Sequence, residues 1–292
     1  MRSRGSPMKS LYPVLAIGRP LNSAMMGFAV VVGASLATGG APWSVGWDRL
    51  LAGFSTGFFY TMASMVHNDI VDYRIDSVNA PWRPLPSGMV SMSTAWVLLA
   101  AYAALGFASS LYLGPIAAAS ALAAFLAALA YNRWGKRSGL PGNMLVAFIV
   151  SFPIIYGGIV ASNLTSSLAS FWLVIFLAVV GREIAKGIPD IEGDSIAGVK
   201  TIAVTHGPEK AALAASAMYL SAVTASLAPL IAGGVNKAVY AAIIGPVAAG
   251  FVAESINLAR SCRSRDKVLA HKKRVLYLML AGLVGFQLSV IA

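Results

Sequence analysis

Residues 67–76 read HNDIVDYRID, a short run whose asparagine and three aspartates could do chemistry together. Asn68, Asp72 and Asp76 stand at i, i+4 and i+8, and Asp69, Asp72 and Asp76 at i, i+3 and i+7. A helix continuing through the run places them on one face. Like charges on one face repel, so the arrangement calls for a cation. A second group, GREIAKGIPDIEGD at 181–194, adds Glu183, Asp190, Glu192 and Asp194. The two groups hold seven of the eleven acidic residues in the chain. Hard oxygen donors with basic residues nearby suit magnesium, which keeps several waters and usually bridges to substrate phosphates. His67, His206 and His271 are isolated, and no His/Cys set has zinc spacing. For either group alone, a solvated helix end at a membrane edge is an equal explanation. Two such groups on one side of the membrane, one with an asparagine in register, favour a metal.

The elements that must position these residues are apolar. Hydrophobic residues make up 58% of the 292 and charged residues 11%, with a mean hydropathy of +0.73. A soluble domain carries about a quarter charged residues, so the chain reads as an all-α, polytopic membrane protein. Nine apolar stretches approach the roughly 20 residues a crossing needs: 20–38, 50–72, 93–112, 114–131, 143–162, 167–188, 211–232, 235–257 and 274–292. They leave no room for a soluble domain, and the expected fold is nine transmembrane helices in a single bundle. Pro189 should kink or end the sixth of them just before Asp190. About 14 uncharged residues precede Arg182 and Glu183 there, too few to span alone. Arg182, Glu183 and Lys186 should therefore lie at membrane depth and pair with one another.

The net charge of +11 would suggest nucleic acid in a soluble protein. Here the basic residues flank apolar runs, so membrane topology explains them and no nucleic acid is expected. All of the 22 lysines and arginines except Arg49 and Lys237 fall on one side of the alternation. That places the N-terminus and the polar connections 73–92, 132–142, 189–210 and 258–273 in the cytosol, with the C-terminus outside. Residues 1–17 lack a long apolar core and read as a cytosolic lead-in, not a signal peptide. Cys262 is the single cysteine, so no intrachain disulfide is possible.

NDIVDYRIDSVNAPWRPLPSG at 68–88 resembles the first signature of the UbiA superfamily of intramembrane prenyltransferases, and DIEGD at 190–194 its second. GRPLN at 18–22 and YNRWGK at 131–136 are also similar to the family. The resemblance covers nearly the whole chain and implies a single prenyltransferase membrane domain over 1–292. Within the superfamily, 181–204 and 139–158 look most like archaeal digeranylgeranylglyceryl phosphate synthases. Those transfer a geranylgeranyl group from its diphosphate to geranylgeranylglyceryl phosphate in ether lipid synthesis. Enzymes that prenylate 4-hydroxybenzoate or homogentisate in quinone biosynthesis share much of both signatures and remain an alternative.

Chemistry and resemblance together imply a division of labour. Asn68, Asp72, Asp190 and Asp194 would hold two magnesium ions on the diphosphate, with Asp69 and Asp76 as ligands or supports. Asp72, Asp190 and Asp194 would be the catalytic carboxylates. Arg74, Lys136 and Lys200 would clamp the diphosphate, and Arg19, Asn22, Arg133, Arg182 or Lys186 would bind the acceptor. Phe58, Phe59, Tyr60 and Tyr131 could line the tail site, and the proline-rich loop 77–88 could be a lid or a stiff turn. The partners are then the prenyl diphosphate, a lipid or aromatic acceptor and the membrane, with no obligate protein partner. The competing class is an ion-coupled transporter, whose charges would sit near mid-span in discontinuous helices of related halves. Acids gathered at one membrane edge favour the enzyme.

Overall fold

The computed structural model describes residues 7–196 and 198–292, all helices and connections. Arg2 and Arg4, counted above with the cytosolic charges, lie outside the described residues. The helices are α1 (Pro7–Ala16), α2 (Pro20–Thr38), α3 (Trp47–Val71), α4 (Tyr73–Asn79), α5 (Met92–Tyr112), α6 (Pro115–Arg133) and α7 (Leu140–Val160). There follow α8 (Ser166–Lys186), α9 (Ile191–Ile196), α10 (Ile202–His206), α11 (Pro208–Ala225), α12 (Ala228–Ala232), α13 (Lys237–Ser261) and α14 (Arg265–Ile291).

Eight helical stretches among the described residues are long and apolar enough to cross a membrane, with α11 and α12 counted as one. The ninth expected span corresponds to α3. At 25 residues it has the length, but its Ser, Thr, Tyr and His side chains make it the least apolar of the set. The last helix begins at Arg265, not at 274 as expected, because the basic stretch itself continues the helix. Local chemistry sets the other ends. Ser91, Thr165 and Asn236 cap α5, α8 and α13 by accepting hydrogen bonds from Thr94 N, Leu168 N and both Ala238 N and Val239 N. Gly114, at φ 113°, turns the chain between α5 and α6, and Pro115 opens the next helix.

The chain resolves into two compact units, one from the N-terminal residues through Phe28 plus Leu51–Arg133, the other Ala29–Leu50 plus Trp134–Ala292. In the first, α3 is central. Tyr60 stacks on Phe125 of α6 with centroids 4.7 Å apart, and Phe59 stacks on Tyr102 of α5 at 6.4 Å. Asn132 donates to the Ser64 carbonyl at 3.0 Å. In the second unit, α2 and α7 meet through glycine. A Cβ on Gly33 would lie 2.2 Å from the Ile154 carbonyl oxygen, and one on Gly157 would lie 2.3 Å from that of Val30. Such backbone contact between helices in lipid needs small residues, because apolar burial gives no net drive there. In the same unit, fully buried Ser35 of α2 donates to Gln287 Oε1 of α14 at 3.1 Å and accepts from its Nε2 at 2.8 Å.

Candidate active site

The first acidic group is organised by a break in the helix. α3 ends at Val71, and α4 starts at Tyr73 with Asp72 between them at φ −86°, ψ 3°. The i to i−4 bonding nevertheless runs through: Asp72 N donates to Asn68 O at 2.9 Å and Asp76 N to Asp72 O at 2.8 Å. The side chains then divide into two sets. Asn68 donates to Asp72 Oδ2 at 3.1 Å, and both are half-buried. Asp69 and Asp76 are buried instead against arginine. Arg19 Nη2 lies 2.6 Å from Asp69, and Arg83 Nη1 lies 2.5 Å from Asp76 and 3.9 Å from Asp69. The two aspartates expected as metal ligands or supports are thus paired with arginine, on the same segment as Asn68 and Asp72.

Arg19, expected at the acceptor, is thus paired with Asp69. Its backbone sits at φ 48°, a conformation a non-glycine residue adopts only under constraint. The Ser23 hydroxyl donates to the Gly18 carbonyl at 2.9 Å beside it. The GRPLN segment therefore supports the first acidic group. Asn22 is half-buried one turn on, and Arg74 and Arg133 are exposed. Sequence reasoning missed Arg83 as a partner; its place in the proline-rich loop gave no period to read.

The second group is in the other unit. α8 ends at Lys186, and Pro189 separates it from the short α9, as the proline predicts. Asp194 N donates to Asp190 O at 2.8 Å, so the two aspartates bracket a single helical turn. Asp190 is exposed and Asp194 half-buried. Burial, aided by the charge of Asp190, pushes the Asp194 carboxyl up to about 6. A metal-free pair this reluctant to carry two charges is a good place for a cation. Among the described residues no three His, Cys, Asp or Glu groups gather closely enough to hold a metal alone. A pair of carboxylates nevertheless fits magnesium, which is usually bound by one or two of them plus substrate phosphates.

The expected pairing at the end of α8 is present. Glu183 accepts from Arg182 Nη1 at 3.2 Å and from Lys186 Nζ at 2.6 Å. The loop carrying Lys136 packs against that carrying Lys200: a Cβ on Gly139, at φ 68°, would lie 2.1 Å from the Lys200 carbonyl oxygen. A further ionic chain was not read from the sequence. Buried Glu254 of α13 lies 2.8 Å from His271 and 2.6 Å from Arg274, and His271 lies 3.3 Å from the hydroxyl of fully buried Tyr219. A lone acid inside the apolar stretch 235–257 was the available signal, since such a residue must find a partner.

Comparison with known proteins gives these groups a context. The profile of the UbiA prenyltransferase family matches residues 26–280. A digeranylgeranylglyceryl phosphate synthase of Archaeoglobus fulgidus is 33% identical over 98% of this chain and 97% of its own. One of Korarchaeum cryptofilum is 35% identical over 77% of this chain and 78% of its own. A solved structure of a digeranylgeranylglyceryl phosphate synthase superposes with a TM-score of 0.77 at 25% identity, covering 97% of this chain and 99% of that one. A UbiA homologue from A. fulgidus, solved with GPP and Mg2+, shares the fold at a TM-score of 0.66 and 16% identity, covering 94% of this chain and 99% of that one.

Proposed function

The chain belongs to the UbiA prenyltransferase family, and from that premise we propose that it moves a geranylgeranyl group from its diphosphate to geranylgeranylglyceryl phosphate, in archaeal ether lipid synthesis. The observation that carries the acceptor is the similarity to synthases of that name over essentially the full length of one of them. The whole of 1–292 acts as one prenyltransferase domain of a multi-pass protein of the cell membrane. The excess of basic residues puts the N-terminus and both acidic groups in the cytosol and the C-terminus outside.

Asn68 with Asp72, and Asp190 with Asp194, supply ligands for two magnesium ions. Magnesium bound there neutralises charge growing on the diphosphate as the allylic C–O bond breaks. Asp69 and Asp76, held by Arg19 and Arg83, keep the first ligand pair in place before substrate arrives, which is where electrostatic catalysis gains most. Arg74, Lys136 and Lys200 take the diphosphate oxygens. The helices surround the prenyl tail with hydrocarbon and keep water from the allylic centre. Arg182 and Lys186, with Asn22 and Arg133, are the residues we assign to the acceptor.

The deciding experiment incubates purified protein with labelled geranylgeranyl diphosphate, Mg2+ and a panel of acceptors. Product from geranylgeranylglyceryl phosphate is expected. Product only from 4-hydroxybenzoate or homogentisate would replace the acceptor, and no transfer to any of them would reject the reading.

A further inference from the structure

Cations outnumber anions around the last turn of α8. Arg182 and Lys186 share one carboxylate, that of Glu183, which is itself buried. Lys272 of α14 adds a third cation. It is half-buried, makes no hydrogen bond or ion pair among the described residues, and lies within Coulombic reach of Asp190, Lys186, Arg182 and Glu183. Two contacts fix the stretch of α14 on either side of it. Arg265 Nε reaches the Pro189 carbonyl at 3.4 Å, tying the start of α14 to the segment after α8. His271 is fixed by Tyr219 and Glu254, and one residue further turns the helix face by about 100°.

Donors here lack acceptors. The buried Nε of Arg182 has no hydrogen-bond partner, the Lys272 ammonium has none, and Lys186 spends one of its three donors on Glu183. Charged donors left without acceptors inside a protein are costly and mark a binding site. With Asp190 assigned to a metal, three cations face one carboxylate. The surplus of about two positive charges matches a phosphate monoester, which carries −1.5 to −2 at pH 7. A carboxylate would leave one of them unbalanced. The guanidinium fork adds the geometry that suits phosphate oxygens.

We propose that Arg182, Lys186 and Lys272 form a monophosphate pocket that selects the acceptor by its phosphate, with Lys272 setting the specificity. This rests on the acceptor reading above and deepens it.

The test compares wild type with Lys272→Met, Lys272→Gln and Lys272→Arg in neutral detergent, so that no anionic lipid competes. Acceptors are geranylgeranylglyceryl phosphate and its neutral alcohol. Both uncharged variants should raise the KM for the phosphate acceptor about tenfold or more. They should narrow the preference for phosphate over alcohol by a similar factor and move the donor KM less than about twofold; arginine should restore most of the loss. In wild type, glycerol phosphate should compete with the acceptor and not with the donor, a readout that does not depend on any variant folding. An unchanged phosphate preference, a KM increase confined to the donor, or competition by glycerol phosphate against the donor alone would overturn the pocket. Wild type that ignores the phosphate acceptor and prenylates an aromatic acid would overturn the acceptor reading, and the pocket with it. Wild type that uses the phosphate acceptor with Lys272 indifferent would overturn the pocket alone.

Discussion

Asp72 stands at a helix break and Asp194 within the short α9, each with a second oxygen donor four residues earlier, Asn68 and Asp190. Replacing either aspartate with alanine should lower turnover by about two orders of magnitude or more, since the lost interaction grows as the C–O bond breaks. Donor affinity should fall less, because tail burial contributes about 0.8 kcal/mol per CH₂. The melting temperature without metal should not fall. Turnover within a few-fold of wild type would remove both from the metal site. Asp194 adds a pH dependence. Its carboxyl titrates near 6 in the metal-free protein, above its ordinary 3.8. Stability linked to this group is therefore complete below about pH 4 and lost as pH rises through 6. Asp194→Asn should accordingly raise the metal-free melting temperature at pH 7.5 and leave it unchanged at pH 4. Magnesium must displace that proton, so apparent metal affinity in wild type should fall as pH drops from 7 to 5, by up to about tenfold per unit below 6. Asp69 behaves differently because it is buried against two arginines. Asp69→Ala strands those charges and should cost roughly 2–4 kcal/mol of stability, read as a lower melting temperature and lower turnover together.

At the scale of elements, close helix approach through glycine should dominate the response to substitution. Gly157→Val drives a side chain into the Val30 carbonyl region of α2 and should lower the melting temperature in detergent by well over 10 °C. Gly40→Ala meets nothing within 4 Å and serves as the neutral control. The helices themselves were readable, because apolar length and proline or glycine punctuation act locally: 20–38, the break at Gly114 and the stop before Pro189 all appear where the sequence puts them. The start of α14 was not, since a basic stretch looks like a loop until one knows that Arg274 meets Glu254 and Arg265 meets Pro189. The same limit applies in the site. The aspartates were legible as a pattern, but which of them meet arginine depends on Arg19, fifty residues before Asp69, and on Arg83 in an irregular loop.

For the whole molecule, exhaustive chelation with EDTA should abolish transfer, and added Mg2+ should restore it; activity that survives chelation would exclude the metal. Single cysteines at Ser77 and Ser195 in a Cys262→Ser background should react with an impermeant reagent only after the membrane is opened. Labelling of either in intact cells would invert the topology. The buried pair of Ser35 and Gln287 bears on how the protein is made. These two residues are 252 positions apart and satisfy each other inside the second unit. At 5–20 residues per second of synthesis, Ser35 enters the bilayer roughly 10–50 s before Gln287 exists. During that interval α2 waits in lipid with its polar contact unmade, even after α7 has met its glycine face. The pair can form only after α14 has emerged, so the docking of α2 on α14 follows the synthesis of every helix between them. A chain that stalls within α14 leaves an open, polar-marked α2 for membrane quality control to find.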